Sequence, residues 1–231
     1  MKFLITYLCF FPFFLSGQVD NFNEHYKKAK EVFVKQNILV DASYHMYPSH
    51  DSQKLISTAQ SKTYISSDLY NQSIEGVYTI IDKDQILVCD TNEEIIVRDK
   101  SKGEALKAIF NIDLDQLTDF IQSVEIDRNG EIITYQLQVQ YSEVSQLDIS
   151  INSRTNQFEK VILYFKYSES LGEDISESEL PRLEVTFSPY KFDQKAKWTI
   201  SNNPFIRLEG KEMSLGNQYK NYQFINNIQE P

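Results

Sequence analysis

The chain is poor in residues that cross-link or punctuate a fold. Of 231 residues, 7 are Gly, 6 are Pro and 2 are Cys. Two cysteines, Cys9 and Cys89, cannot build a disulfide scaffold, and no C-x-x-C offers a zinc site. The low Gly and Pro counts exclude a collagen-like or low-complexity chain. There are 3 His and no H-E-x-x-H, no G-x-S-x-G elbow and no phosphate-cradling glycine loop. Neither a catalytic centre nor a cofactor or metal site is therefore expected. Basic residues are also scarce: 23 Lys and Arg stand against 33 Asp and Glu, a net charge of −10, which excludes the basic surface a nucleic-acid binder needs. Apolar runs long enough to span a membrane as a helix, about 20 residues, are missing.

One shorter apolar run is present. Met1 to Gln18 reads MKFLITYLCFFPFFLSGQ, with Lys2 as the positive start, Phe3–Leu15 as the apolar stretch and Ser16-Gly17 as small residues. This is the pattern of a secretory signal, with cleavage expected at Gly17–Gln18. The expectation is residues 1–17 as leader, 18–231 as one domain, and export to the periplasm or beyond. Cys9 lies inside the apolar stretch, not at the cut, so a lipid anchor is not expected. Cys89 falls in an apolar strand pattern and reads as a small buried residue.

After the leader the periodicity is mostly two. Asp20–Gln36 is the exception: Phe22, Tyr26, Ala29, Val32 and Phe33 recur at helical steps, with Lys27, Lys28 and Lys30 opposite. Strand patterns follow at 38–46, 62–69, 76–81, 85–90 and 94–98. Residues 104–110 and 114–124 return to helical spacing. Strands resume at 133–141, 147–151, 158–167 and 183–187, with weaker candidates at 198–200, 205–208 and 222–225. Asn129-Gly130 suits a type I′ hairpin turn. The predicted fold class is mainly β (α+β): an incomplete antiparallel β-barrel curled around the N-terminal helix, with a helical lid insert.

Polar candidates are few. His45 and His50 flank Pro48 and could hold a metal with Asp51, or be exposed strand-end residues. Asp127–Glu131 is calcium-loop-like only in part and reads as a hairpin turn. Asp113 and Asp115 are paired carboxylates or helix caps. The acidic stretch Glu169, Glu173, Asp174, Glu177 and Glu179 is a solvated loop or a docking face for a basic partner. Between 158 and 167 both faces are apolar: Phe158, Ile162 and Tyr164 oppose Val161, Leu163 and Phe165. Such a strand is covered on both sides or lines an apolar pocket.

The run Tyr78-Thr79-Ile80-Ile81-Asp82-Lys83-Asp84-Gln85-Ile86-Leu87-Val88-Cys89-Asp90 carries a resemblance. With the later hairpin from Ser145-Gln146-Leu147 to Phe158–Tyr167, it resembles the LolA-like and LolB-like lipoprotein carrier group. That group has a strand pair around an Asp-Gly turn and an apolar strand ending in Trp-x-Tyr-Asp. Here Leu87 and Cys89 replace the two aromatics and Asp90 is kept. The similarity spans about Asn21 to Tyr190 in topology and leaves the C-terminal tail unmatched. It implies a non-enzymatic carrier or binder of lipoprotein acyl chains or another apolar ligand. The expected cavity lining is Tyr135, Leu137, Val139, Val161, Leu163 and Phe165, and the expected lid is Leu114, Leu117, Phe120 and Ile121. Implied partners are an acylated lipoprotein or lipid and an envelope protein. The alternative from the residues is a structural or interaction protein whose barrel is filled by its own helix.

Overall fold

The structure is a computed structural model that describes residues 11–35, 37–101, 120–140, 143–166, 180–209 and 212–228. In chain order the elements are α1 (Phe11–Lys35), β1 (Ile38–Tyr47), β2 (Ser57–Ile65), β3 (Tyr70–Ile74), β4 (Val77–Ile81), β5 (Gln85–Asp90) and β6 (Ile95–Lys100). After these come β7 (Ile121–Asn129), β8 (Ile132–Val139), β9 (Val144–Asn152), β10 (Gln157–Phe165), β11 (Arg182–Phe187) and β12 (Lys191–Phe192). The C-terminal part holds β13 (Ile206–Glu209), β14 (Glu212–Leu215), a 3-10 turn (Asn217–Tyr219) and β15 (Gln223–Asn226). The strand order β15-β6-β5-β4-β3-β2-β1-β11-β10-β9-β8-β7 is an open series that does not close into a barrel, and β13-β14 form a separate hairpin.

The chain divides into two compact units. Unit 1 comprises Met1–Val32, Ser43–Thr58 and Ile112–Pro189; unit 2 comprises Phe33–Ala42, Ala59–Asn111 and Tyr190–Pro231. In unit 1, β7 to β11 pair antiparallel with their sequence neighbours. Alternation along β8 buries Ile133, Tyr135, Leu137 and Val139. Phe22, Tyr26 and Ala29, spaced for one helix face, complete that core. In unit 2, β2 to β6 form a meander of antiparallel hairpins. β15 extends it in parallel with β6. The core there contains Ile80, Leu87, Cys89 and Ile96 with Ile200, Phe205 and Ile206.

Several expectations change. The expected helix 114–124 is strand from Ile121 onward, because Ile121, Val124 and Ile126 pair with Val139, Leu137 and Tyr135 of β8. The ladder outweighs the helical spacing of the apolar residues. The rest of the expected insert, Leu114 and Leu117 included, lies outside the described residues. The single strand expected at 62–69 is split. The Ser66 hydroxyl accepts from the backbone N–H of Asp68 and Leu69, turning the chain into the polar strand β3. The turn before β8 has Gly130 and Glu131 at its centre, since Asn129 pairs with Ile132. Only Gly130 has positive φ, 62°, the pattern of a type II′ turn and not the expected type I′. Residues 198–200 form no strand, only the isolated bridge Thr199–Asn202.

Candidate functional site

The six expected cavity positions gather on one sheet face of unit 1. Antiparallel partners point to the same side, and Tyr135 pairs with Ile149, which pairs with Val161. Leu137, Leu147 and Leu163 form the next row. A bulge at Glu159 shifts the register between Phe158 and Lys160. The shift returns Phe158 to the side of Val161, so Phe158 joins the core beside the helix and does not oppose Val161 as simple alternation predicts. Ile162 and Tyr164 remain on the opposite face.

This apolar face is occupied by α1. Tyr135 and Leu137 have no exposure, and Val139 has 5%. Phe22 stacks edge-on to Tyr135 at 5.3 Å and tilted to Tyr26 at 5.5 Å; Tyr26 meets Phe158 at 5.5 Å. Burial pushes the Tyr26 phenol up to about 12. Polar links cross the packing at the Tyr135 hydroxyl: one with His25 Nδ1, the other donated to the Asn21 carbonyl of α1 at 3.5 Å. Burial lowers the His25 pKa, helped by Lys28 and Arg128 and opposed by Glu24. Leu163 and Phe165 are half-buried. Of the expected lid, Ile121 packs on this core as a strand residue, and Phe120 is 39% exposed.

The reverse face of the same strands is polar, and sequence patterning did not single it out. Asp148 is buried on β9, accepting from Gln146 Nε2 at 2.7 Å and the Tyr164 hydroxyl at 3.1 Å. Burial raises the Asp148 carboxyl against those two bonds, and burial with the adjacent Asp148 pushes Tyr164 up to about 12. Tyr164 pairs with Arg182 on β11. Arg182 lies over the Tyr47 ring at 4.3 Å, donates to the carbonyls of His50 and Ser52, and pairs with Glu184 at 3.0 Å. Its Nε is buried without a partner. Glu184 also receives Lys160 at 2.5 Å. His50 stacks on Tyr164 at 5.1 Å and its Nε2 meets the Phe165 carbonyl at 3.1 Å. These contacts fasten residues 48–56 to the sheet; His50 is thus a structural contact, and no metal-holding group of acids, His and Cys exists among the described residues.

Unit 2 carries a second apolar face, with Tyr78, Ile80, Leu87, Cys89 and Ile96 on one side of β4–β6. Burial pushes the Cys89 thiol up to about 12, which suits an inert core residue. An open groove of about 330 Å³ near the Glu75-Gly76 turn is lined mainly by polar groups, among them Asp41, Gln60, Lys62, Ser73 and Glu75. Its lining does not suit an acyl chain. No helix of the described residues is long and apolar enough to cross a membrane.

No protein-family model and no curated protein sequence matches the chain. Solved structures do. An uncharacterized conserved protein from Thermus thermophilus matches 89% of this chain and 99% of its own, with a TM-score of 0.50 at 9% identity. A LolA superfamily protein from Nitrosomonas europaea covers 75% of this chain and 94% of its own, at TM-score 0.34 and 11% identity. A putative outer membrane lipoprotein-sorting protein domain from Vibrio parahaemolyticus covers 79% and 95%, at 0.34 and 9%. The similarity is one of fold and it is distant; the matched structures include the LolA superfamily that the sequence resembles.

Proposed function

We propose that the protein is an exported, non-catalytic carrier or binder of an acylated or other apolar cargo, seated on the face of unit 1 that α1 covers. The observation that carries this reading is the character of that cover. The strip through Tyr135, Leu137, Ile149, Phe158 and Val161 is apolar, and α1 lies on it chiefly through Phe22, Tyr26 and Ala29, with the Tyr135 hydroxyl linked to His25 and donating to the Asn21 carbonyl at 3.5 Å. Lifting α1 breaks no strand pairing. Re-exposing two aromatic side chains and an alanine costs about 5 kcal/mol, at about 1.5–3 kcal/mol per large side chain. A dozen buried methylenes return about 10 kcal/mol, at about 0.8 kcal/mol each. The burial gained exceeds the burial given up, which favours exchange of the helix for an acyl chain. The expected leader supports a periplasmic place of work, where acylated lipoproteins in transit to the outer membrane are the cargo of matching chemistry.

Mass spectrometry of lipids extracted from protein purified from a bacterial periplasm tests the reading. A stoichiometric lipid or acyl-peptide supports it. An empty protein that also fails to take up a fluorescent fatty-acyl probe overturns it. The second reading is an envelope interaction protein whose sheet is permanently filled. It is favoured by the complete burial of Tyr135 and Leu137 beneath the chain's own helix. An empty protein would move the conclusion there.

A further inference from the structure

The apolar face of unit 2 would compete for the same cargo if it were open. Its rows are Ile80 beside Leu87 beside the buried Arg98, whose Nε donates to Gln85 Oε1 at 2.9 Å, and Tyr78 beside Cys89 beside Ile96. It is covered by the C-terminal segment, residues 198–209 and 212–226, through a relay of rings. Trp198 meets Phe205 at 5.0 Å, Phe205 meets Tyr219 at 5.2 Å and Tyr219 meets Tyr222 at 5.1 Å, while Tyr78 below touches Trp198 and Phe205 at 5.1 and 5.2 Å. Unlike α1, this cover is tied at its C-terminal end by a strand ladder. β15 pairs with β6 from Gln223–Ile95 to Asn226–Arg98. Asn71 Nδ2 donates to the Trp198 carbonyl at 2.8 Å, and the Gly216 N–H donates to the Phe205 carbonyl at 2.8 Å. The fit is tight at that point: a Cβ on Gly216 would lie 1.9 Å from the Pro204 carbonyl oxygen.

We infer that the described residues 198–209 and 212–226 are a built-in occupant of the unit 2 face, which keeps acyl chains out of it and confines cargo to the α1-covered face, one chain per protein. The inference rests on the cargo reading of unit 1 for its count of one, but the cover itself has an independent reporter. Cys89 lies in the covered cluster with Tyr219 and Tyr222 packed against it.

With Cys9→Ser, Cys89 is the only thiol, and its labelling rate is followed alongside titration with a fluorescent sixteen-carbon fatty-acid probe. The expected wild-type result is one probe per protein and a Cys89 rate changed less than twofold by the probe. Gly216→Ala drives a Cβ into the Pro204 carbonyl and disrupts the packing inside the cover; Cys89 then labels at least tenfold faster and a second probe site appears. A Tyr219→Ala/Tyr222→Ala double variant repeats the test without a backbone clash, should Gly216→Ala not fold. A probe that alters wild-type Cys89 labelling tenfold would place cargo in unit 2 and overturn the inference. So would uncovered variants that gain no probe site. A wild type that binds no probe sinks the cargo reading of unit 1 alone; a site gained in the variants would then still support the cover, and none gained would overturn it too.

Discussion

Phe22→Ala is the sharpest test of what α1 does. The Phe22 ring has no exposure and is clamped between Tyr26 and Tyr135, at 5.5 and 5.3 Å. A buried Phe→Ala change costs about 3–5 kcal/mol, the spread depending on how far neighbours collapse into the space. Collapse is restricted here, since Tyr135 is tied to His25 and Tyr26 packs against Phe158. The expected loss is therefore near the middle of that range, about 4 kcal/mol. With a urea slope of about 2 kcal/mol/M, the midpoint falls by about 2 M, a large share of the 5–15 kcal/mol typical of a domain. Far-UV circular dichroism follows the whole chain. Fluorescence follows unit 2, because Trp198 is the chain's one tryptophan and belongs to that unit. A fall in midpoint below about 0.3 M by circular dichroism would refute the claim that α1 is part of the unit 1 core. If α1 is the exchangeable cover, the same variant binds the fatty-acyl probe at least tenfold more tightly, because the roughly 1.5–3 kcal/mol of Phe22 burial no longer has to be displaced.

Three further outcomes follow from the polar groups. The folded pKa of His25 is lowered, so its contribution is present above the ordinary histidine value of about 6.5 and is lost as pH falls through the folded value; urea midpoints at pH 7.5 and 5 should differ, and His25→Gln should flatten the difference. Asp148 has the opposite sign, a raised folded pKa, so stability is full below the ordinary carboxyl value and is lost as pH rises through the folded one. Asp148→Asn should gain about 1 kcal/mol at pH 7 and nothing at pH 3 in the same measurement, since the amide oxygen keeps the bond from Tyr164. Arg182→Lys cannot reach the carbonyls of His50 and Ser52 and Glu184 together, a loss of about 2 kcal/mol; limited trypsin digestion should cut after Lys54 about tenfold faster, and an unchanged rate would mean that Arg182 does not hold the loop.

Local pattern was enough for the regular parts. Strict alternation from Ile133 to Val139 defines β8 and its buried side, and the steps Phe22, Tyr26, Ala29 define the helix face that packs on it. What pattern could not show depends on one-residue shifts or distant partners. The bulge at Glu159 inverts the side taken by Phe158, and no propensity marks an extra residue in a strand. β7 was masked by apolar spacing that suits a helix until β8 pairs with it. β3, Tyr-Asn-Gln-Ser-Ile, carries too few apolar residues to register as a strand. The polar cluster is assembled by cross-strand neighbours, Tyr164 beside Arg182 and Gln146, whose sequence separation hides the contact. The tail's role was equally hidden, because Trp198 and Phe205 cover a face built from residues about 120 positions earlier.

The two covers differ in the kind of bond that holds them, and that difference carries functional weight. Apolar side-chain contact is non-directional, so a ligand methylene replaces a leucine or phenylalanine carbon at little loss. A backbone ladder is not replaceable in this way: lifting β15 from β6 leaves peptide groups that an acyl chain cannot satisfy, and each such group costs about 1–3 kcal/mol when it stays buried. The cover thus adds to a difference in the faces beneath, where unit 2 also buries the Arg98 guanidinium beside Leu87. On the cargo reading an apolar ligand would exchange with α1, whose contacts with β8 and β9 are led by Phe22, Tyr26 and Ala29, and it would not exchange with the C-terminal segment. Conversely, a protein partner that offers an extended strand could compete with β15 for β6, whereas it has no ladder to gain beneath α1. The chemistry of whatever displaces each cover, acyl chain or strand, therefore tells which unit is at work.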